Sequence, residues 1–199
     1  ENYIIPKKVK DDLKSIISKD LKVLIVRIDS PGGTVSASEN LRRIFSNFKS
    51  ENDVKLFFFV NDILTSGGYW AATSADKIFA NYGSIIGSIG VSGPKWFYYD
   101  TPVSISSGFF GQNIETKNGI DVYSNQAGKS KDLFNPFRKP TINELKHLQL
   151  MVDDIYDDFV LKVSKNRSID ISFIKKNIGS LVFNSQQAKD NFLIDNEID

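Results

Sequence analysis

The sequence predicts an α/β fold with a mainly parallel sheet, crossover helices and a long helical segment towards its carboxyl end. Two observations carry this prediction. Short apolar runs at 21–28 and 56–60, rich in β-branched and aromatic residues, are typical of buried strands. A glycine-containing turn and a helical pattern follow each run, and this alternation is typical of parallel strands joined by crossovers.

Composition predicts one domain and excludes several classes of function. A chain of 199 residues that is 41% hydrophobic can bury one sizeable core. Its 25 basic and 24 acidic residues nearly cancel, so no nucleic-acid partner is expected. Without cysteine there is no disulfide, thiolate nucleophile or cysteine-based zinc site, and no metal or other cofactor is expected.

The amino-terminal elements follow from local patterns. Apolar residues at helical spacing predict a first helix within 9–17, before the strand at 21–28. A second helix is predicted after the Pro-Gly-Gly turn, because Ser36 and Glu39 have the spacing of a capping box and an apolar stripe occupies 41–48.

The next segments continue the alternation. After the strand at 56–60, small and aromatic residues at 66–74 predict a tightly packed helix. Further strands are predicted at 77–80 and 85–91. The polar, glycine-containing stretch at 104–119 predicts a loop or excursion.

A long helix is predicted near the carboxyl end. Thr141 and Glu144 form a second capping box, and apolar residues recur at spacings of three and four over 145–163. Acidic pairs at 153–154 and 157–158 are interpreted as a solvated helix face rather than as metal ligands.

Candidate chemistry lies where the predicted strands end. Ser66 follows a buried strand and begins a helix, so its hydroxyl can point into the cleft at which open α/β sheets bind ligands. The N–H groups of Gly67 and Gly33 could together form an oxyanion hole for a tetrahedral intermediate. Each glycine turn alone is a common feature, so neither identifies the site by itself.

A serine nucleophile needs a base, and the residues leave its identity open. His147, the single histidine, lies inside the long predicted helix and is interpreted as structural, which disfavours a Ser-His-Asp triad. A lysine can serve if its pKa falls from near 10.4 towards roughly 7 to 8. Composition cannot select one among 25 basic residues.

Five ordered segments resemble one known family. They are RIDSPGG at 27–33, TSGGYWAA at 65–72, ADKIFA at 75–80, GSIGV at 87–91 and GKSKD at 128–132. Their sequence and order resemble the signal peptide peptidase A family of serine proteases. The stretches at 134–138 and 182–195 are also similar, so the resemblance spans residues 20–195.

The resemblance implies a role for each matching residue. Ser66 matches the nucleophile and Lys131 matches the general base. Ser88 matches the serine that orients this lysine, and Gly33 and Gly67 match the oxyanion positions. The implied fold is that of Clp proteases and crotonases.

Two departures from the family pattern bear on these assignments. The stretch between 90 and 128 is longer than in short family members, so Lys129 competes with Lys131 as the base. Lys131 is preferred because the family keeps lysine and aspartate adjacent. The family's first strand also has no counterpart in residues 1–199, which are otherwise expected to form a single peptidase domain.

The resemblance also implies a biological setting. Peptide substrates, in particular remnant signal peptides, and a homo-oligomeric ring are expected. A location at the extracytoplasmic face of a bacterial membrane is also expected. Because the chain starts at Glu1 without a methionine, upstream residues are expected to be missing, and an anchor is expected to lie among them. Leu64, Tyr69, Trp70 and Ile86 are candidate walls of a substrate pocket, with a core role as the alternative.

Two other classes of function stay open at this point. Acyl-CoA hydratases and isomerases share the architecture and polarise a thioester with paired N–H groups, but they need an acidic base. The 61–72 stretch offers only Asp62. The third class is a non-catalytic scaffold in a ring of active relatives, which the presence of both Ser66 and Lys131 disfavours.

Overall fold

The computed structural model describes residues 4–17, 21–100, 106–108, 111–113, 123 and 125–198. The chain divides into two compact units. The first comprises Glu1–Val91 and Asp154–Asp199, and the second comprises Ser92–Asp153. The second unit begins close to where the sequence places an insertion relative to the family.

The helices and strands follow one another in the predicted alternation. Up to Val91 they are α1 Pro6–Ser15, β1 Val23–Ser30, α2 Val35–Asn52, β2 Lys55–Thr65, α3 Gly67–Ala72, β3 Lys77–Asn81 and β4 Ile85–Gly87. The later ones are β5 Ser106–Gly108, β6 Gly111–Asn113, α4 Ile142–Arg167, α5 Ile171–Phe173 with a π-helical turn at Ile174–Ile178, β7 Val182–Phe183, α6 Ser185–Asp190 and β8 Asn196–Ile198.

The sheet of the first unit is mainly parallel, as predicted. Strand β2 lies at its centre and pairs in parallel with β1, β3 and β4. Strand β8 extends the sheet in parallel beyond β3, whereas β7 pairs antiparallel with β4. In the second unit, β5 and β6 form an antiparallel pair.

Strand β2 changes neighbour halfway along its length. On one edge it pairs with β1, while on the other edge Phe57–Val60 pairs with β3 and Ile63–Thr65 pairs with β4. The register with β1 shifts at the same place, because Ile28 is opposite Val60 but Ser30 is opposite Leu64. Residues 61–63 therefore form a bulge relative to β1, which we call the β2 kink.

The core lies between one face of this sheet and helices α2, α3 and α4. The Phe45 ring meets Phe58 edge-on at 5.2 Å, and Trp70 stacks on Phe159 at 4.7 Å. Such aromatic pairs contribute about 0.5–1.5 kcal/mol beyond the area that they bury. The first contact holds α2 on the sheet, and the second holds α3, the helix that follows Ser66, against α4.

Two predicted boundaries need correction. Helix α2 begins after Thr34, whose hydroxyl accepts a hydrogen bond from Ala37 N–H at 3.3 Å, so Ser36 is not its cap. Strand β4 ends at Gly87 rather than at residue 91, because Ser88 takes a positive φ of 50° that ends the extended backbone.

Other predicted features are confirmed. Thr141 and Glu144 form the expected capping box at the start of α4, with Glu144 N–H donating to Thr141 Oγ1 at 3.2 Å. The first helix forms one turn earlier than the pattern indicated, starting at Pro6. Most of the excursion predicted at 104–119 lies outside the described residues.

Throughout the described segments, no helix is both long enough and apolar enough to cross a lipid bilayer.

Candidate active site

Ser66 occupies the sharp turn between β2 and α3. Its φ of 51° and ψ of −125° are rare for a residue with a side chain, and such a conformation costs about 1–3 kcal/mol. The surrounding backbone holds it in place, because Ser66 N–H donates to Gly87 O at 3.0 Å and Ser66 O accepts from Trp70 N–H at 2.9 Å. A strained serine between a strand and a helix is typical of a nucleophile elbow.

Ser88 lies beside Ser66 at the end of the neighbouring strand. Thr65 and Gly87 are paired across β2 and β4, so the two serines follow adjacent parallel strand ends. Ser88 N–H donates to Leu181 O at 2.7 Å. The structure thus brings together two serines that the sequence separates by more than twenty positions.

The Gly32–Gly33 turn packs directly against Ser66. Gly32 has a φ of 125°, and a Cβ placed on it would lie 2.9 Å from Ser66 Cβ and 3.2 Å from Ser66 Oγ. Both the backbone conformation and the lack of space therefore require glycine at this position. The turn is tied to β2 by Thr65 Oγ1, which donates to Pro31 O at 3.0 Å.

Two backbone N–H groups converge beside the serine. A Cβ placed on Gly67 would lie 3.0 Å from Gly33 N and would clash with the Ser38 hydroxyl. Among the described residues, neither Gly33 N–H nor Gly67 N–H donates to an acceptor. Gly67 also begins α3, so its N–H has no partner within the helix. The pair is free to bind an anionic oxygen.

A groove reaches the same glycines. Its volume is about 380 Å³, and its walls include Gly32, Gly33 and Gly67. Most of the remaining lining is apolar, contributed by Ile4, Ile28, Pro31, Ala37, Leu41 and Ala71. The groove beside these glycines thus has mostly apolar walls.

The four candidate pocket residues lie in the core. Leu64, Tyr69 and Ile86 are fully buried, Trp70 is 3% exposed, and none of them is part of the groove lining. The Tyr69 hydroxyl donates to Leu193 O at 2.6 Å, and Trp70 Nε1 donates to Glu39 at 2.8 Å. Their role as substrate contacts stays a prediction.

Lys131 and Lys129 belong to the second unit, and both are exposed there. Lys131 N–H donates to Gly128 O at 3.3 Å within a series of turns. Both neighbours of Lys131 in the chain bind a common network, because Asp132 pairs with Arg138 and Ser130 hydrogen-bonds to Glu144.

Arg138 is the centre of this network. Its Nη2 donates to Asp132 Oδ1 and to Glu144 Oε1, each at 2.8 Å, and its guanidinium lies 5.1 Å from the centre of the Trp96 ring. The hydrogen bonds from Arg138 are the main reason why the pKa values of the Asp132 and Glu144 carboxyls lie below the usual range. Arg138 thereby fixes the turns on either side of Lys131.

The other titratable candidates have simpler surroundings. His147 is exposed on α4. Asp157 and Asp158 bind Lys175 and Lys162, and the described residues contain no cluster of three His, Cys, Asp or Glu that could hold a metal. Asp62, the only acid that the hydratase alternative offers, is exposed at the β2 kink.

Several residues that shape the site were not predicted from the sequence. Gly32 and Asp29 lie inside the motif at 27–33. The local pattern does not show that Gly32 lies against Ser66 or that Asp29 binds the β2 kink. Ser38 is buried and packs against Gly67. A serine on a helix gives no sequence signal for such a contact.

Comparisons with known proteins find a matching family model and several relatives. A family model described as peptidase family S49 matches residues 49–198. A Methanocaldococcus jannaschii protein to which protease activity is ascribed is 33% identical over 96% of this chain and 59% of its own length. An Enterococcus faecium protein to which the name signal peptide peptidase SppA is ascribed is 29% identical over 95% of this chain and 49% of its own. The chain thus spans about half the length of such relatives.

A solved structure shows the same fold. A point mutant of ClpP1 from Listeria monocytogenes superimposes with a TM-score of 0.61, covering 98% of this chain and 84% of its own. The two sequences are 12% identical, so the likeness is one of fold. The Clp protease fold implied by the family resemblance is therefore confirmed.

Proposed function

Because the chain belongs to peptidase family S49, we propose that it carries serine endopeptidase activity with Ser66 as nucleophile and Lys131 as general base. One observation supports this most directly. Ser66 is held in a strained conformation beside two N–H groups, of Gly33 and Gly67, that have no acceptor in the described chain. That combination matches the needs of acyl transfer, in which a nucleophile and oxyanion donors act on one carbonyl.

The proposed reaction proceeds in two halves. Neutral Lys131 takes the proton of the Ser66 hydroxyl as Oγ bonds to the peptide carbonyl carbon, and Gly33 and Gly67 stabilise the oxyanion. The C–N bond then breaks, and Lys131 gives the proton to the leaving nitrogen. Water repeats the attack on the acyl-enzyme, which releases the second product and restores Ser66. Ser88, beside Ser66, orients the lysine amine.

The proposed substrates are remnant signal peptides. These peptides have an apolar central segment, and the groove beside Gly33 has mostly apolar walls. The name ascribed to the Enterococcus faecium relative supports the same substrate class. We place the activity at the extracytoplasmic face of a bacterial membrane, with an upstream segment as anchor.

The proposed active form is a homo-oligomeric ring. Phe97, Tyr98 and Tyr99 are 61%, 37% and 38% exposed in the second unit, and consecutive exposed aromatic residues are typical of interfaces. The ring stays a proposal because the Clp likeness extends only to the fold.

Substitutions of the two proposed catalytic residues test the reaction. With casein and a synthetic signal peptide as substrates, we expect Ser66→Ala and Lys131→Ala each to lower kcat by about 10³-fold or more. Lys131→Arg should be equally inactive, because a guanidinium stays protonated at neutral pH and cannot accept a proton. Lys129→Ala is the matched control and should retain activity.

Two outcomes would contradict the assignment. Full activity in Ser66→Ala would exclude the nucleophile. Activity lost in Lys129→Ala but kept in Lys131→Ala would move the base by two residues.

A further inference from the structure

We propose that Asp29 is a positioning residue for Ser66. Its carboxylate binds the β2 kink, and the strand continues from this kink to the proposed nucleophile. The inference rests on the proposed function, in which Ser66 is acylated. Asp29 has no contact with a reacting atom in this scheme. It acts through the backbone of β2.

The carboxylate binds three consecutive backbone N–H groups. Asp29 Oδ1 accepts from Asn61 at 3.1 Å, from Asp62 at 2.7 Å and from Ile63 at 3.2 Å. Its Oδ2 accepts from Asn61 Nδ2 at 3.0 Å, and Arg27 Nη2 holds the other end of that amide at 3.1 Å. The oxygens of this one side chain thus bind the whole kink.

Asp29 supplies acceptors where the pairing between β1 and β2 is interrupted. Between the paired positions Ile28–Val60 and Ser30–Leu64, β1 contributes only Asp29 while β2 contributes residues 61–63. These hydrogen bonds lie at the surface, so their effect is to hold residues 61–63 in one geometry rather than to satisfy buried groups. On the opposite side, the buried Ser84 donates from Oγ to Asn61 O at 2.8 Å.

The hydrogen bonds to Asp29 also link the turn that carries Gly33 to the strand end that carries Ser66. Asp29 directly precedes the turn that carries Gly33, while the residues it binds directly precede Leu64, Thr65 and Ser66. Asp29 therefore joins the segment bearing an oxyanion donor to the strand bearing the nucleophile. A shift of about 1 Å between such groups can lower a rate 10²-fold.

The charge state suits this role. Burial raises the pKa of Asp29, but hydrogen bonds from Asp62, Ile63 and Asn61 outweigh it and leave the pKa below its ordinary value. The side chain is thus a carboxylate at neutral pH, which accepts several hydrogen bonds at once.

Graded substitutions test the inference. The second-order rate of Ser66 labelling by a fluorophosphonate would be measured for Asp29→Asn, Asp29→Ser and Asp29→Ala, at a temperature well below each Tm. We expect Asn to keep at least about half of the rate, because its amide oxygen can still accept the N–H groups, and Ala to lose about 10-fold or more. Ser should fall between them, since its shorter side chain reaches fewer donors.

The control is Asp53→Asn, an equal charge change at an exposed position that precedes β2, and it should leave the rate unchanged. Equal labelling of all folded variants, with only Tm lowered, would overturn the inference. If Asp29→Ala does not fold, the Asn and Ser variants still decide, because equal rates in those two contradict the role. Absence of labelling in the unaltered chain would instead refute the proposed nucleophile.

Discussion

At the scale of single residues, the site depends on Gly32 and Gly67, whose surroundings leave no room for a side chain. Gly67 contributes a proposed oxyanion N–H and lies against Ser38 and the Gly33 backbone. Replacing its hydrogen with a methyl group would push against both. The donor pair would separate, even though the N–H groups themselves would still be present.

We therefore expect Gly67→Ala to lower kcat by about 10²–10³-fold, the loss that follows removal of one oxyanion donor. The double variant Gly67→Ala/Ser38→Ala should recover part of the lost activity, because it removes the clashing hydroxyl. Peptidase assays and thermal unfolding of both variants check this. Wild-type kcat in the single variant would show that Gly67 does not line the oxyanion site.

At the residue scale, the candidates for the site came from local signals in the sequence. Short motifs at predicted strand ends contain Ser66, Gly33 and Gly67, so the sequence alone indicates them as candidates. The role of Asp29 depends on a register shift between β1 and β2, whose residues are more than thirty positions apart. A single sequence carries no pattern for such a shift.

At the scale of elements, periodic segments were predictable and their ends were less so. Helix α4 and its capping box follow from apolar spacing and from Thr141 and Glu144. The start of α2 was misplaced because Ser36 and Glu39 have cap spacing, while the side chain of Glu39 binds Arg42 and Trp70 instead. Competition between partners distant in sequence decides such cases.

The Arg138 network gives an element-scale prediction. Arg138→Gln breaks both carboxylate pairings and leaves the buried Glu144 without its cation, so the turns around Lys131 should loosen. We expect faster proteolytic cleavage between residues 128 and 138 and a kcat lowered about 10-fold or more. Lys139→Gln, at the next and exposed position, is the control. Unchanged cleavage and kcat would show that the network does not hold the turns.

At the scale of the whole molecule, paired carboxylates make stability depend on pH. Hydrogen bonds from Arg42, opposed by burial and aided by Trp70 and Arg43, lower the pKa of Glu39 from 4.5 to about 2. Because the folded pKa lies below the unfolded one, this carboxylate stabilises the fold above pH 4.5, and the contribution is lost as pH falls towards 2.

The free energy of unfolding should therefore fall between about pH 5 and pH 2, and it should fall less steeply in Glu39→Gln. Urea titrations at stepped pH, followed by tryptophan fluorescence, measure both slopes. Glu51→Gln changes an exposed carboxylate on the same helix and should keep the slope of the unaltered chain. Identical slopes for Glu39→Gln and the unaltered chain would contradict the assignment.

The overall architecture was predictable because each strand and each helix has its own local sequence pattern, and the order of these patterns along the chain indicates the fold. The boundary of the second unit at Ser92 was not, since composition changes little there. The polar stretch at 104–119 predicted an excursion and the family resemblance predicted extra residues after 90, but neither indicated this boundary. The arrangement of these residues depends on contacts such as Arg138 with Trp96, which have no periodicity.

The strained backbone at Ser66 has a consequence for directed evolution. Glycine adopts a φ of 51° without the penalty that serine incurs, so the position of the proposed nucleophile is also one where a substitution to glycine relaxes the backbone. A library selected for heat resistance alone would accumulate glycine there and lose the proposed nucleophile. Screening for turnover at every round would keep the serine in the surviving population.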